Sequence, residues 1–400
     1  MSVRLFSFIA LFLLVSNLKT HSQSDLHHRL LTLDSHTDTP MMLDEEGYSF
    51  GKRNDADATD SRLDLVRMEE GGLDAVFFAV FTSQGERSEK GRLKAREHAL
   101  RTFDLIEKNV ADNAEKVAVA YSPSDAYRNV LTGKKSIFIG MENGFPIGLD
   151  IGLIADFYER GARYITLCHS KNNDICDSST DKAEHNGLSP FGEEVVKEMN
   201  RLGMMIDVSH ISDEAFFDVL KITKTPVIAS HSNARTVCNH PRNLSDEMLL
   251  ALKANGGVVQ VCVLSAYVKE AAPNAAREQA LKELREKYNN FTDLSPDQRK
   301  EAGREWRAVE KKFPNKLATV SDLVDHIDYI VQLIGIDHVG FGSDFDGGGM
   351  LSACKDVSQL PAITTEMLRR GYSEDDLQKF WSGNFLRVFG EIQAAAASNR

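Results

Sequence analysis

Residues 30–40 read LLTLDSHTDTP, and the reading of this stretch decides the fold. A short apolar run, the mark of a buried strand, passes straight into Asp34, Ser35, His36, Thr37 and Asp38. An open doubly wound sheet normally follows its first strand with a glycine-rich phosphate loop. Here HTDTP stands in that place, which favours a closed barrel. His36 and Asp38 lie two apart, so an extended chain would point both the same way. Alone, the pair is equally well a solvated loop. Asp34, inside the strand, reads as a partner for neighbouring groups rather than a ligand.

Working outward, seven further β-branched runs follow: LDAVFFAVF (73–81), KSIFIGME (135–142), RYITLCHS (163–170), MMIDVSH (204–210), PVIASHS (226–232), GVVQVCVL (257–264) and HVGFGSDF (338–345). Their apolar residues are continuous rather than alternating, as in strands buried on both faces. KVAVAYS (116–122) reads as an extra edge strand. Amphipathic stretches separate the runs at 89–109, 124–131, 153–160, 192–202, 212–220, 245–254 and 320–333. Serines at 124 and 245 stand as N-caps, and acids follow Ser245 in its first turn. Eight strands alternating with helices predict an α/β fold of the (β/α)₈ TIM-barrel class. Residues 268–318 are charged and helix-prone, and form an insertion between the seventh and eighth runs. Residues 360–389 add two C-terminal helices.

Bulk properties agree. The 400 residues are 42% hydrophobic and 26% charged, enough for one large core. A net charge of −12 without a Lys/Arg cluster excludes a nucleic-acid surface. Arg4, an apolar run at 5–15 and a polar exit read as a secretory signal peptide cleaved after Ser22, too short to span a bilayer. The expected organisation is residues 1–22 as signal and 23–400 as one barrel domain, exported to the periplasm or secreted. The tail EIQAAAASNR has no apolar stretch for a lipid anchor. Five cysteines (168, 176, 238, 262, 354) include no C-x-x-C pair and read as buried small residues.

The decisive pattern is what ends each run: His36 and Asp38, Glu142, His169, Asp207 and His210, His231, then Asp344 and Asp346. In a barrel all of these meet at one mouth, the face where active sites form. Each signal alone is weak, but four of 12 histidines closing separate strands is not a scattered distribution. Three histidines with two carboxylates suit zinc, whereas calcium or magnesium would take more oxygens. Five ligands exceed one catalytic zinc and suit two if a carboxylate bridges, with Glu142 the natural bridge.

The ordered set HTD, EN, CHS, DVSH, SHS and GFGSDFDG resembles the membrane (renal) dipeptidase family, over residues 28–390, and fits an exported bacterial member. The resemblance implies a (β/α)₈ barrel with two Zn²⁺ that hydrolyses dipeptides through a metal-bridging hydroxide. It implies His36 and Asp38 on one zinc, His210 and His231 on the other, and Glu142 bridging. His169 would polarise the substrate, and Asp344 would transfer the proton. Arg242, in HSNARTVCNHPRN, would grip the substrate carboxylate, and Tyr267 would line the pocket. The resemblance also implies tolerance of a D-residue at the C-terminal position. Cys168 stands where the family has Thr, and the 268–318 insertion is absent from animal members. Assembly as a homodimer stays open. The rival readings are a cyclic-amide hydrolase or deaminase of the same architecture, many of which bridge metals through a modified lysine after the fourth strand, and a non-catalytic metal- or peptide-binding barrel.

Overall fold

The computed structural model describes residues 26–291 and 294–398, so the signal-peptide reading lies outside the described residues. The strands are β1 (Leu33–Thr37), β2 (Ala75–Phe81), β3 (Val117–Val119), β4 (Lys135–Glu142), β5 (Ala162–Thr166), β6 (Met205–Asp207), β7 (Ile228–Ala229), β8 (Val258–Val261) and β9 (Val339–Phe341). They pair in parallel in the order β1-β2-β4-β5-β6-β7-β8-β9. The ring closes between the ends of β1 and β9: Thr37 bridges Phe345, Asp38 N–H donates to Phe345 O at 2.8 Å, and Asp344 N–H donates to His36 O at 3.0 Å. Asp34 strengthens this seam, since its Oδ1 accepts the N–H of Ser343 at 2.8 Å and of His36 at 3.1 Å. The eight predicted runs thus form an α/β TIM-type barrel.

The extra strand lies at an edge, as expected: β3 pairs with β4 alone and is off the closed path of the ring. β4 pairs with β3 through Lys135–Ile137 and with β5 from Ile139 onward, so β3 sits below β5 in the wall.

The helices are α1 (Leu65–Glu70), α2 (Glu89–Asp112), α3 (Pro123–Leu131), α4 (Gly152–Glu159), α5 (Pro190–Leu202), α6 (Asp213–Ile222), α7 (Asp246–Asn255), α8 (Ala275–Lys287), α9 (Pro296–Lys312), α10 (Val320–Ile334), α11 (Pro361–Arg369) and α12 (Asn384–Ala397). Ser88, Ser189, Ser212, Ser245 and Thr319 each accept the backbone N–H three residues on, which starts α2, α5, α6, α7 and α10. The cap of α3 is Ser122, not Ser124. Pro123 is pre-set for the first helical position, and Asp125 Oδ2 accepts the Ser122 N–H at 2.9 Å. The tail holds the two expected helices, α11 and a longer one that runs from Glu374–Gln378 through a π turn at Lys379–Gly383 into α12. That turn seats the buried Trp381, whose indole packs on Phe341 and donates to Thr364 Oγ1 at 2.8 Å.

The barrel floor is apolar. Leu33, Phe77, Phe138, Met205, Ile228 and Val258 meet Phe385 and Phe389 of α12. Phe77 stacks on Phe138 at 4.7 Å and meets Phe385 edge-on at 5.2 Å. Tyr164 crosses the interior because Gly140 faces it, and a Cβ there would overlap the phenol ring. The insertion is a hairpin of α8 and α9 with a small cluster of its own, Leu284, Tyr288 and Ala302 against Phe291 and Trp306. Among the described residues all five cysteines are buried free thiols, and no helix is long and apolar enough to cross a membrane.

Candidate metal centre

The mouth is the polar end of the same interior. Glu142 ends β4, while His210, His231 and Asp344 follow β6, β7 and β9 by two or three residues. Asn143 (φ 77°), His210 (φ 73°) and Asp344 (φ 62°) take the left-handed backbone region that non-glycine residues avoid. Such outliers persist only where their surroundings enforce them, commonly at functional sites. For Asn143 the enforcement is visible: its Nδ2 donates to Thr82 O at 2.9 Å and its Oδ1 accepts the Phe145 N–H at 3.1 Å.

His36 Nε2 lies 3.8 Å from Asp38 Oδ2 and 3.6 Å from Glu142 Oε2. The other Glu142 oxygen, Oε1, lies 3.0 Å from His210 Nε2, 3.6 Å from His231 Nε2 and 3.7 Å from His169 Nε2. Three sets of donor atoms each fall within 4.8 Å: His36, Glu142 and His231; Glu142, His169 and His210; His36, Asp38 and Asp344. His36 and Asp38 converge differently from the extended-chain expectation. Asp38 has φ −89° and ψ 19°, because its N–H is held by Phe345 O and the chain turns there into a short 3₁₀ segment at Thr39–Met42. Asp346 does not join the cluster. Its carboxylate accepts Thr39 Oγ1 at 2.7 Å and the Arg62 N–H at 2.5 Å, and so ties two loops together.

These residues fit a metal. His36 Nε2 and Asp38 Oδ1 are buried without a hydrogen-bond partner, a costly state unless a cation meets them. His210 Nε2 and His231 Nε2 lie 2.8 Å apart and both face Glu142 Oε1. Imidazoles and carboxylates are the donors zinc takes. Burial, then the neighbouring Glu142, pushes the Asp38 carboxyl well above its usual range. Burial, then Asp38, does the same to Asp344. Burial lifts Glu142 to about 8, although Arg242 pulls the other way. Crowded buried carboxylates of this kind favour a cation. A Cβ at Gly347 would overlap both Asp38 Oδ2 and Asp344 Oδ1, so only glycine lets the loop after β9 close over them.

His169 is the most exposed of the cluster histidines, and burial followed by Arg242 lowers it to about 3, which keeps it neutral. Arg242 is buried behind the cluster. Its Nη2 donates to His231 O at 3.1 Å, its Nε is unpartnered, and its guanidinium lies 5.4 Å from the Tyr267 ring centroid. No carboxylate among the described residues pairs with it, so it can meet an incoming anion. The structure therefore brings together His36, Asp38, Glu142, His169, His210, His231 and Asp344, with Arg242 and Tyr267 on one side.

Sequence reading missed Tyr164, whose OH lies 2.8 Å from His36 Nδ1. An interior tyrosine looks like core, and the only signal was Gly140 on the adjacent strand. It also left Asp207 without a task, although this residue accepts Thr166 Oγ1 at 2.5 Å and Ser230 Oγ at 2.6 Å.

Known proteins are similar to this chain in sequence and fold. The profile of the membrane dipeptidases (peptidase family M19) matches residues 20–400. Dipeptidase tcpJ of Claviceps purpurea is 32% identical over 345 residues, covering 84% of this chain and 71% of the relative. Mouse Dipeptidase 3 is 32% identical over 372 residues, covering 90% and 64%. The crystal structure of the probable dipeptidase PvdM from Pseudomonas aeruginosa superposes with a TM-score of 0.82 at 32% identity, covering 94% of this chain and 98% of that one. A match across nearly the whole chain, together with clustered metal donors at the barrel mouth, places this chain in the membrane dipeptidase family, peptidase family M19, as a metal-dependent dipeptidase.

Proposed function

We propose that the protein is a dinuclear zinc dipeptidase acting on free dipeptides, with a D-residue accepted at the C-terminal position. One observation carries the dinuclear reading: the two oxygens of Glu142 face different donor sets, His36 on one side and His210 with His231 on the other. His36 and Asp38 would hold one ion, His210 and His231 the other, with Glu142 shared. Two zinc ions held so supply a nucleophile from water at neutral pH and polarise the scissile carbonyl.

The chain's own groups do the rest. Asp344, fixed over the cluster by its positive φ, takes the proton released by water and delivers it to the departing amine. His169, at the rim, donates a hydrogen bond to the oxygen on which charge develops. Arg242 binds the substrate's terminal carboxylate, with Tyr267 against its face. A buried cation at fixed reach from the cluster accommodates one residue beyond the scissile bond, which selects dipeptides. Residues 23–400 act as one domain in this reading, preceded by an export signal.

The test is a hydrolysis panel of L-X-L-Y and L-X-D-Y dipeptides, free and C-terminally amidated, with zinc counted per chain. Two zinc ions, chelator-sensitive turnover and strong preference for free carboxylates are expected. A single zinc, or equal cleavage of amidated substrates, would overturn the corresponding part.

A further inference from the structure

The three histidines proposed above as metal ligands, His36, His210 and His231, have unequal backing. His36 Nδ1 meets the neutral phenol of Tyr164, and His210 Nδ1 is buried with no partner. His231 alone connects to a carboxylate, through one intervening hydroxyl. Its Nδ1 lies 2.8 Å from Ser230 Oγ, and Ser230 Oγ lies 2.6 Å from Asp207 Oδ2. All three side chains are buried. From this geometry we infer that Ser230 and Asp207 are positioning residues: Asp207 orients the Ser230 hydroxyl, which holds His231 as the Nδ1–H tautomer with the Nε2 lone pair facing the metal centre.

The surroundings of Asp207 favour one set of proton directions, with Ser209 Oγ, 3.4 Å from Ser230 Oγ, the weaker alternative acceptor. Asp207 Oδ1 already accepts the N–H groups of Ser209 at 3.0 Å and Ser230 at 2.9 Å, and Oδ2 accepts Thr166 Oγ1 at 2.5 Å. An acceptor so surrounded takes the Ser230 proton, which leaves the Ser230 oxygen free to accept from His231 Nδ1. Histidine ligands ordinarily reach such a carboxylate directly, and the partner raises their basicity and fixes the ring. Here a serine carries that effect across one extra atom, to one ligand only. The inference rests on the metal-centre reading above and assigns the stronger backing to the His231 side.

The alternative is that Asp207 only pins the ends of β5, β6 and β7. Ser230→Ala separates the two, because it removes the hydroxyl and keeps both backbone bonds to Asp207. Thr166→Val removes the other hydroxyl on Oδ2 and keeps the relay. The experiment measures zinc per chain, zinc affinity by chelator competition, and the melting temperature of the metal-free protein. Ser230→Ala is expected to weaken one zinc about 10- to 100-fold, with the metal-free melting temperature unchanged and Thr166→Val like wild type. Wild-type zinc affinity in Ser230→Ala overturns the relay, as does equal weakening in Thr166→Val or a lowered metal-free melting temperature in Ser230→Ala. If Asp207→Asn fails to fold, Ser230→Ala decides alone. A wild type with fewer than two zinc ions overturns the dinuclear reading instead, and the relay then stands or falls on whether Ser230→Ala weakens the zinc that remains.

Discussion

The floor and the mouth of the barrel are built from the same strands and obey opposite rules. At the floor, Phe77, Phe138, Phe385 and Phe389 interlock. At the mouth, the opposite end of the same interior, His36 Nε2, Asp38 Oδ1, His210 Nδ1 and Arg242 Nε are buried and unpartnered among the described residues, and Asn143, His210 and Asp344 hold positive φ. The floor is where burial stabilises the chain. The mouth consumes part of that stability to hold donors in place for metal and substrate. Stability and activity should therefore respond to different substitutions.

Asp344→Asn is the sharpest attempt to break this division. Asparagine tolerates φ 62° and removes one charge from a crowded buried cluster, so the fold should survive without loss of melting temperature. Turnover should fall roughly 100- to 10,000-fold, with zinc retained, if Asp344 moves the proton. Normal kcat would remove it from the chemistry. Phe77→Ala is the mirror image. It should cost about 3–5 kcal/mol in urea unfolding, while kcat at a temperature where the variant is folded stays near wild type. A matching collapse of kcat in folded Phe77→Ala would show that the two ends are not separable.

A pH measurement probes the floor side further. His27 is buried against Trp381; its Nδ1 takes the Thr364 hydroxyl at 2.6 Å and its Nε2–H donates to Gly71 O at 2.9 Å. Burial lowers its pKa from 6.5 to about 4, so between those values the unfolded chain binds a proton that the folded one refuses. This stabilisation is complete above pH 6.5 and falls by up to about 3 kcal/mol as pH drops to 4. Comparison of metal-free wild type with His27→Gln between pH 7 and 5 isolates this residue, since the mouth titrates alike in both. Parallel stability curves would refute it. The smallest expected effect is at the rim of the mouth. Arg242→Ala should raise KM for free dipeptides about 10- to 100-fold, the loss expected of a charged hydrogen bond, with a smaller change in kcat.

The two ends also differed in how far they could be read from sequence. Strand ends that carry chemistry stand out, because His and Asp have no reason to follow an apolar run in the interior of a fold. GMENG, DVSH and SHS were visible as such, and the metal site came from counting them, while the barrel came from eight apolar runs alternating with helices. Supporting residues were invisible for the converse reason. Tyr164 and Ser230 are ordinary members of a buried strand or its end until a neighbour across the barrel gives them a partner. β3 was legible as an edge strand, but a three-residue strand carries no sign of which half of β4 it pairs with. The approach of His36 to Asp38 through a turned backbone depended on Phe345, more than 300 residues away in the chain.

The helical hairpin α8–α9 leaves and rejoins the barrel almost at one point. Ser265 Oγ accepts the N–H of Ala318 at 3.2 Å and donates to Met350 O at 2.5 Å, so the two ends of the excursion are tied to each other and to the loop beyond β9. Chain entering and leaving at neighbouring positions is what domain grafting requires. The natural insertion marks a port in this catalytic scaffold where a reporter, an affinity module or a second enzyme could be spliced in without re-threading the barrel.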